Sequence, residues 1–257
     1  MTVSTARDDP TLLTTVGRDV LFAHWPVSPA RIRPLVPDPL SLDTFDGSAW
    51  VSVLAFENPA VVPGPTVPSW LPDAGFPQVN LRTYVTAGDD PGVYFLSLDA
   101  GRRAPALVGR RAFGLPFHHA SARLTRRGDE VTVRSRRRDA DAVFAARYRP
   151  TGDPFRAAPD SLAEFCIERF RYFLPVTERR PASLSSAARS GRDAPDVRVG
   201  TISRDPWTLR SVEATLRHNT LLDAAGLSAP PADPVVHYSP GFEMGVGPVT
   251  VRRPSDG

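Results

Sequence analysis

Proline is spread along the whole of this chain, with 28 prolines in 257 residues. Because proline lacks a backbone N–H and interrupts the interior of a helix, this distribution favours many short elements over long helices. The 41% of hydrophobic residues supply enough material for a core without disulfides or structural metals. The single cysteine, Cys166, excludes an internal disulfide framework and a cysteine-rich zinc site.

Short segments with the composition of strands recur along the chain. They are residues 49–56, 79–85, 93–98, 120–124, 131–136 and 144–149. Residues 79–85 alternate between apolar and polar side chains, whereas residues 93–98 are more continuously apolar, as in a strand buried on both faces. The pair Gly128-Asp129 lies between two of these segments and predicts a hairpin.

Three helices are predicted, over residues 29–35, 104–113 and 162–173. The last is the clearest, because Ser161 and Glu164 match a capping box, apolar residues follow at helical spacing, and Pro175 ends the pattern. Cys166 lies on the apolar face of this helix, so we interpret it as a core residue and not as a nucleophile. Residues 179–200 have the composition of a surface loop. Several antiparallel strands with few helices indicate a mainly β or α+β fold.

Lysine is absent, so all 31 basic side chains are arginines. A guanidinium stays protonated far above neutral pH and cannot form an imine with a carbonyl compound. The absence also fits the coding bias of a GC-rich genome, but the chemical exclusion holds for either cause. The sequence therefore excludes chemistry that proceeds through a lysine Schiff base.

Several motifs carry a resemblance to known families. Residues 32–40 resemble the Leu-Val-Pro-Glu-Pro-Leu stretch of acetoacetate decarboxylases, and residues 114–118 fall where those enzymes have Gly-x-Pro-Lys-Lys. Residues 76–85 resemble the signature of the YqjF-like family, domain of unknown function 2071, which is similar to the decarboxylases in fold. Further matches to that family follow in order at residues 24–26, 47–50 and 92–99.

The resemblance implies an antiparallel, cone-shaped β-barrel of the acetoacetate decarboxylase-like type, with a few flanking helices and a small cavity. It implies one such domain over residues 17–250, between flexible ends at residues 1–16 and 251–257, and often an oligomer. In the decarboxylases one lysine forms the imine and a second lowers its pKa. Here Phe117 and His118 occupy those two positions, and Gln78 stands where an acid is usual. The fold is implied, but the lysine chemistry is not.

A row of polar residues on one strand is the best candidate site. Gln78, Asn80, Arg82 and Tyr84 would share one face of an alternating strand. The arginine fork matches a carboxylate. We therefore predict that Arg82, Asn80 and Gln78 bind a small organic acid or carbonyl compound.

Two alternatives concern the arginines of this site. Arg111, just ahead of the Gly-Leu-Pro turn, is a second candidate for the same role. The competing interpretation of Arg82 is that it faces solvent or pairs with Asp99 or Glu57. The competing interpretation of Arg111 is that it is exposed to solvent.

His118 is the candidate catalytic residue, as a general base or hydrogen-bond donor. Because His118 and His119 are adjacent on a strand, they point to opposite sides, and at most one can enter a cavity. The five histidines show no spacing typical of a metal site, and no Gly-x-Ser-x-Gly motif is present. We predict no metal and no cofactor.

Two further hypotheses remain. Phe117 could fill the interior, which would make the protein a non-catalytic scaffold. Alternatively, an arginine-rich hairpin could bind nucleic acid: residues 102–149 hold thirteen arginines and four acidic residues, and Thr132, Arg134, Arg136 and Arg138 would lie on one face. Aromatic residues for base stacking are not interleaved there, so nucleic acid is the less favoured partner. The chain has neither a signal peptide nor a membrane-spanning apolar run, which predicts a cytoplasmic protein.

Overall fold

The computed structural model describes residues 11–64, 75–175, 197–228, 230 and 232–252. Twelve strands within these residues form one hydrogen-bonded sheet. The strands are β1 Leu13–Val27, β2 Ser41–Leu42, β3 Ala49–Pro63, β4 Phe76–Ala87, β5 Asp90–Ala100, β6 Phe117–Arg127, β7 Glu130–Arg137, β8 Val143–Phe155, β9 Arg171–Leu174, β10 Val197–Ser203, β11 Leu209–Asn219 and β12 Val235–Arg252. The short helices are α1 Pro29–Ile32, α2 Arg103–Val108, α3 Leu162–Ile167 and α4 Leu221–Ala224.

The strand pairings form a cycle. In order, β1, β3, β4, β5, β9, β10 and β12 pair successively, and β12 pairs again with β1. The remaining long strands, β6, β7, β8 and β11, form an outer layer that connects β5 to β12. All pairings are antiparallel except β5–β6 and β5–β9. We call the seven-strand cycle the ring. The predicted mainly β, antiparallel fold is confirmed.

Apolar residues on both faces of the ring explain the composition of its strands. Along β3, Val51 and Val53 pack into a core shared with the outer layer, whereas Leu54 and Phe56 pack into a second core inside the ring. Both faces are therefore buried, which favours β-branched and apolar residues at nearly every position. The alternation along β4 has a different cause. Val79, Leu81 and Val85 pack into the core shared with the outer layer, whereas Gln78, Asn80 and Arg82 face the interior of the ring.

The predicted helix over residues 162–173 is wrong at its C-terminal end. Ser161 is the N-cap, and its Oγ accepts from the Glu164 N–H at 3.2 Å, as predicted. The helix ends at Ile167, and Phe173 lies in β9, where it pairs with β10 on one side and β5 on the other. Two neighbouring strands satisfy the backbone of β9, and Phe173 is buried in the core, so tertiary pairing overrides the helical spacing. Cys166 is fully buried, as predicted.

Most of the other predicted elements are present in the structure. The helices over residues 29–35 and 104–113 are confirmed, the first ending in a 3₁₀ turn and the second in a π turn, Gly109–Phe113. The hairpin around Gly128-Asp129 and the strand after it are confirmed as β6, β7 and β8. Of the predicted loop over residues 179–200, residues 197–200 begin β10, and the rest lies outside the described residues.

The structure also places the ends of the sheet. The domain was expected to begin at residue 17, but this position lies inside β1, because β1 pairs with β12 and β3 from Leu13 onward. At the other end, β12 continues to Arg252 through its pairing with β10. Within the described part of the chain, no helix is long and apolar enough to cross a membrane.

Candidate functional site

The ring encloses a cavity of about 210 Å³, and each of its seven strands contributes to the wall. Aromatic rings make up much of the lining: Phe56, Phe95, Phe117, Tyr172, Trp207 and Phe242. The segment of α2 and its π turn covers one side, with Pro105 and Val108 facing inward. The cavity is mostly apolar with a few convergent polar groups, which is typical of a small-molecule site. It is smaller than the roughly 300–1,000 Å³ of drug-sized sites.

A polar strip runs along β4 on the cavity side. Gln78, Asn80 and Arg82 all line the cavity and are buried. The Gln78 Nε2 donates to Asn80 Oδ1 at 2.8 Å, which fixes the orientation of both amides. The Asn80 N–H₂ group and the Gln78 carbonyl therefore remain for a ligand. The structure thus brings together three of the predicted site residues, and their side chains face the cavity instead of solvent.

Arg82 carries a charge without an acidic partner in the described part of the chain. Its side chain is only 8% exposed, and its Nη2 donates to the carbonyl oxygen of Cys166 at 2.7 Å. Its Nε has no hydrogen-bond partner among the described atoms. The alternative pairing with Asp99 or Glu57 is wrong, because Asp99 pairs with Arg137 at 2.8 Å and Glu57 lies opposite Pro77, five residues along β4 from Arg82.

Two further arginines line the cavity that the sequence did not single out. Arg169 Nη1 lies 2.6 Å from Asp43 Oδ2, and Arg204 Nη1 lies 2.8 Å from Glu168 Oε2. Both charges are therefore compensated within the protein. Arg169 lies between α3 and β9 and Arg204 follows β10, so only the pairing of these strands brings them beside β4. No local sequence pattern marks them.

Beneath Arg82 lies a buried chain of hydrogen bonds. The Tyr84 hydroxyl donates to the same Cys166 carbonyl at 2.8 Å and lies 2.5 Å from Ser52 Oγ, which in turn lies 2.6 Å from His24 Nδ1. Burial raises the pKa of the Tyr84 hydroxyl, so this group stays neutral. The chain fixes the position of the carbonyl that holds Arg82.

His24 ends this chain beside a second histidine. The rings of His24 and His237 are 5.5 Å apart between centroids. Burial, followed by the nearby His237 and Arg82, holds the pKa of His24 well below its usual value, and burial also lowers the pKa of His237. Both imidazoles are therefore neutral near neutral pH. His24 Nε2 and His237 Nδ1 have no partner among the described atoms.

His118 and Arg111 do not reach the cavity. Phe117, the residue before His118, lines the wall, so strand alternation points His118 away from it. His118 Nδ1 instead lies 3.5 Å from Asp139 Oδ2 on the outside. Arg111 is exposed on the π turn, where its neighbours Gly109 and Phe113 face inward. The predicted placement of both residues in the site is therefore wrong.

The hypothesis that Phe117 fills the interior of the ring is wrong. Phe117 forms part of the wall, and the cavity remains open beside it. Within the described residues, no cluster of three or more histidine, cysteine or acidic side chains has the arrangement of a metal site.

The arginine-rich hairpin exposes a row of charges on the outer layer. Thr132, Arg134 and Arg136 alternate with buried residues on β7, as predicted, whereas Arg138 lies beyond the end of the strand. Arg134 is directly opposite Arg123 on β6. Neither has an acidic partner in the described part of the chain, although Arg147 on the next strand pairs with Glu130 at 3.3 Å.

Solved structures share this fold. The enduracididine biosynthesis enzyme MppR, complexed with pyruvate, superimposes with a TM-score of 0.62 at 13% identity, covering 98% of this chain and 94% of that one. The acetoacetate decarboxylase of Legionella pneumophila superimposes with a TM-score of 0.60 at 14% identity, covering 93% of this chain and 86% of that one. At such low identity the likeness shows the acetoacetate decarboxylase-like fold alone.

A closer relative is found by sequence. The uncharacterized protein YqjF of Bacillus subtilis (strain 168) is 38% identical over 224 residues, which cover 86% of this chain and 84% of YqjF. Residues 15–243 match the domain of unknown function 2071, described as an uncharacterized conserved protein (COG2071). The chain therefore belongs to the domain of unknown function 2071 family, which confirms the resemblance carried by its strand signature.

Proposed function

We propose that the cavity binds one small organic carboxylate without forming a covalent bond, and that Arg82 is the receptor for the carboxylate. The observation that carries this proposal is the buried guanidinium of Arg82, which has an unpartnered Nε and no acidic partner in the described residues. Holding a buried charge without a counter-charge is costly. A ligand carboxylate would supply the missing charge and accept hydrogen bonds from the planar fork.

The amides of the polar strip support a second contact. Asn80 N–H₂ is left free by the Gln78–Asn80 hydrogen bond and faces the same cavity as Arg82. It can donate to a carbonyl or hydroxyl oxygen beside the carboxylate, so a keto acid or a hydroxy acid fits the strip. MppR, which shares the fold, is known in complex with pyruvate, a compound of this class.

The chemistry of the lining supports binding over catalysis. The chain has no lysine, and Phe117 stands where the resemblance places the amine of the decarboxylases. In the described residues, neither a carboxylate nor a histidine lines the cavity. The neutral His24 does not line the cavity; it is hydrogen-bonded to Ser52, whose Oγ lies beside the Tyr84 hydroxyl. The proposal is therefore a reversible receptor site, without Schiff-base decarboxylase activity.

Binding can be measured by isothermal titration calorimetry with pyruvate, butanoate and hexanoate. We expect at least one of these acids to bind the wild-type protein, and Arg82→Met to weaken that binding by about 30-fold or more, since one charge-assisted contact is lost. Arg111→Met is the matched control, because it removes an exposed arginine outside the cavity. If none of the acids binds, or if both variants bind as the wild type does, the proposal fails.

The absence of an imine has its own test. The protein is incubated with pyruvate and sodium borohydride, and its intact mass is then measured. We expect no adduct on any side chain. A reduced adduct that peptide mapping places on a residue of the cavity would contradict the noncovalent proposal.

A further inference from the structure

We infer that the ligand carries a single negative charge and an apolar tail, and that the cavity selects against dicarboxylates. This inference rests on the proposed carboxylate site at Arg82 and goes further by specifying the rest of the ligand. Two features of the wall support it. Among the described residues, every lining charge except one is compensated, and the cavity extends from that charge towards an apolar end.

Three arginines of the described residues line the cavity, but Asp43 neutralises Arg169 and Glu168 neutralises Arg204. Each of these pairs is also fixed by backbone contacts, because Arg169 Nε donates to Phe165 O at 2.6 Å and Arg204 Nη2 donates to Ile167 O at 3.0 Å.

A first carboxylate can therefore pair with Arg82, but a second would find no free cation among the described residues of the wall. It would have to leave water without compensation, which is strongly unfavourable. The same argument excludes a free ammonium group, because no acidic side chain among the described residues faces the cavity.

The cavity extends from Arg82 along β4 towards an apolar end, where Phe76 packs with Ala106 of α2. Gln78, Asn80 and Arg82 line the cavity at every second residue, and Phe76 continues the line towards the side covered by α2. At about 3.3 Å per residue, the four residue-to-residue steps from Arg82 to Gln78 span roughly 13 Å. A carboxylate at Arg82 therefore directs its tail past the two amides towards the apolar residues of α2.

Phe117 lies beside the path of the tail. Asn80 is opposite Leu98, and Leu98 is opposite Phe117, so these three residues form one row across β4, β5 and β6. Gly109 packs closely against the ring, because a Cβ at this position would lie 2.2 Å from Phe117 Cδ2. The side chain at the position of the decarboxylases' amine is therefore an apolar wall, which sets the room available to the tail.

Three linear six-carbon compounds separate charge from shape: hexanoate, adipate and hexanamide. Hexanoate has one carboxylate and an apolar tail, adipate has a second carboxylate at the end of the tail, and hexanamide keeps the tail without charge. We expect the dissociation constant of adipate to be at least about tenfold higher than that of hexanoate, because its second charge is buried without a partner. We expect hexanamide to bind at least about tenfold more weakly than hexanoate, because its amide cannot neutralise Arg82.

The outcomes separate this inference from the proposal on which it rests. If hexanoate and adipate bind equally well, and Arg82→Met weakens both, the carboxylate site stands and the inference of a single charge fails. If no acid binds in a manner that depends on Arg82, both fail. If hexanamide binds as tightly as hexanoate, the tail alone drives binding, and both fail again.

Phe117→Ala tests the direction of the tail without touching the charge. Removing the ring enlarges the cavity, so the preference should shift from hexanoate towards octanoate, while pyruvate, which has no such tail, should keep its affinity. Phe117→Leu gives a milder change if the alanine variant does not fold. An unchanged ratio of octanoate to hexanoate affinity in a folded variant would show that the tail does not pass Phe117.

Discussion

Arg82 and Tyr84 donate hydrogen bonds to one acceptor, the carbonyl oxygen of Cys166, at 2.7 and 2.8 Å. This carbonyl belongs to the last turn of α3, where backbone acceptors have no partner within the helix. The end of a short helix thus holds the guanidinium in the cavity without neutralising it. Arg82 is positioned by a neutral oxygen, and its charge remains for a ligand.

The buried pair of Asp99 and Arg137 provides a contrast, because it is compensated and holds the outer layer on the ring. Arg137 Nε donates to Asp99 Oδ1 at 2.9 Å, and Asp99 is fully buried. Arg137→Met leaves a buried carboxylate without its partner and should lower the free energy of unfolding by about 3–5 kcal/mol. Urea denaturation measures this loss.

The exposed pair of Arg149 and Glu213, at 2.7 Å, is the matched control. Arg149→Met should cause no measurable loss of stability, because water screens an exposed pair. Equal effects of Arg137→Met and Arg149→Met would contradict the structural role given to Asp99 and Arg137.

The neutral His24 predicts a pH dependence of stability. Its pKa in the folded protein lies well below 6.5, first because of burial and then because of His237 and Arg82. Above pH 6.5 the imidazole of His24 is neutral in both the folded and the unfolded states, so its protonation does not reduce the free energy of unfolding. As the pH falls below 6.5, the unfolded state takes up a proton that folded His24 does not, so the free energy of unfolding decreases.

Chemical denaturation at a series of pH values between about 7.5 and 5.5 measures this decrease. His24→Gln should reduce the slope, and His218→Gln, at an exposed position, should leave it unchanged. An identical slope in the wild type and His24→Gln would show that His24 does not contribute.

Cys166 should be unreactive in the folded protein. Burial raises the pKa of its thiol to about 12, so almost no thiolate is present at neutral pH. Ellman's reagent should therefore modify Cys166 only after unfolding, with a rate that follows the unfolding of the chain. Rapid modification under native conditions would mean that the C-terminal end of α3 opens. The hydrogen bond from Arg82 to the Cys166 carbonyl oxygen would then also be broken.

The opposed arginines on the outer layer predict a small gain on removal. Arg123 and Arg134 lie directly opposite each other on exposed strands, and like charges in this arrangement destabilise a sheet. Arg134→Thr should raise Tm by about 1–2 °C at low salt, and the gain should shrink as salt screens the repulsion. A fall in Tm would indicate that Arg134 makes a stabilising contact instead.

The polar strip could be predicted from sequence because strand alternation is a local pattern, whereas the fold was implied by the resemblance of several motifs to a known family. The alternation of β4 placed Gln78, Asn80 and Arg82 on one face, and the ordered motifs implied the fold. The alternation does not say whether a polar face meets water or a cavity. That depends on the cycle of strand pairings, which turns the polar face of β4 inward.

The remaining residues of the site required the tertiary structure. Arg169 and Arg204 reach the cavity only because β9 and β10 insert between β5 and β12. The helical spacing that continued to Phe173 was overridden by this same insertion. His118 was misplaced because adjacent residues of a strand alternate, and the register with β5 turns Phe117 inward.

The most direct test of the account is the affinity of hexanoate for the wild-type protein and for Arg82→Met, measured side by side by calorimetry. Far-ultraviolet circular dichroism and Tm establish that the variant is folded. The account predicts that the wild type binds hexanoate and that the folded variant binds it about 30-fold more weakly or not at all. Equal affinity in the two folded proteins would contradict the assignment of Arg82 as the carboxylate receptor.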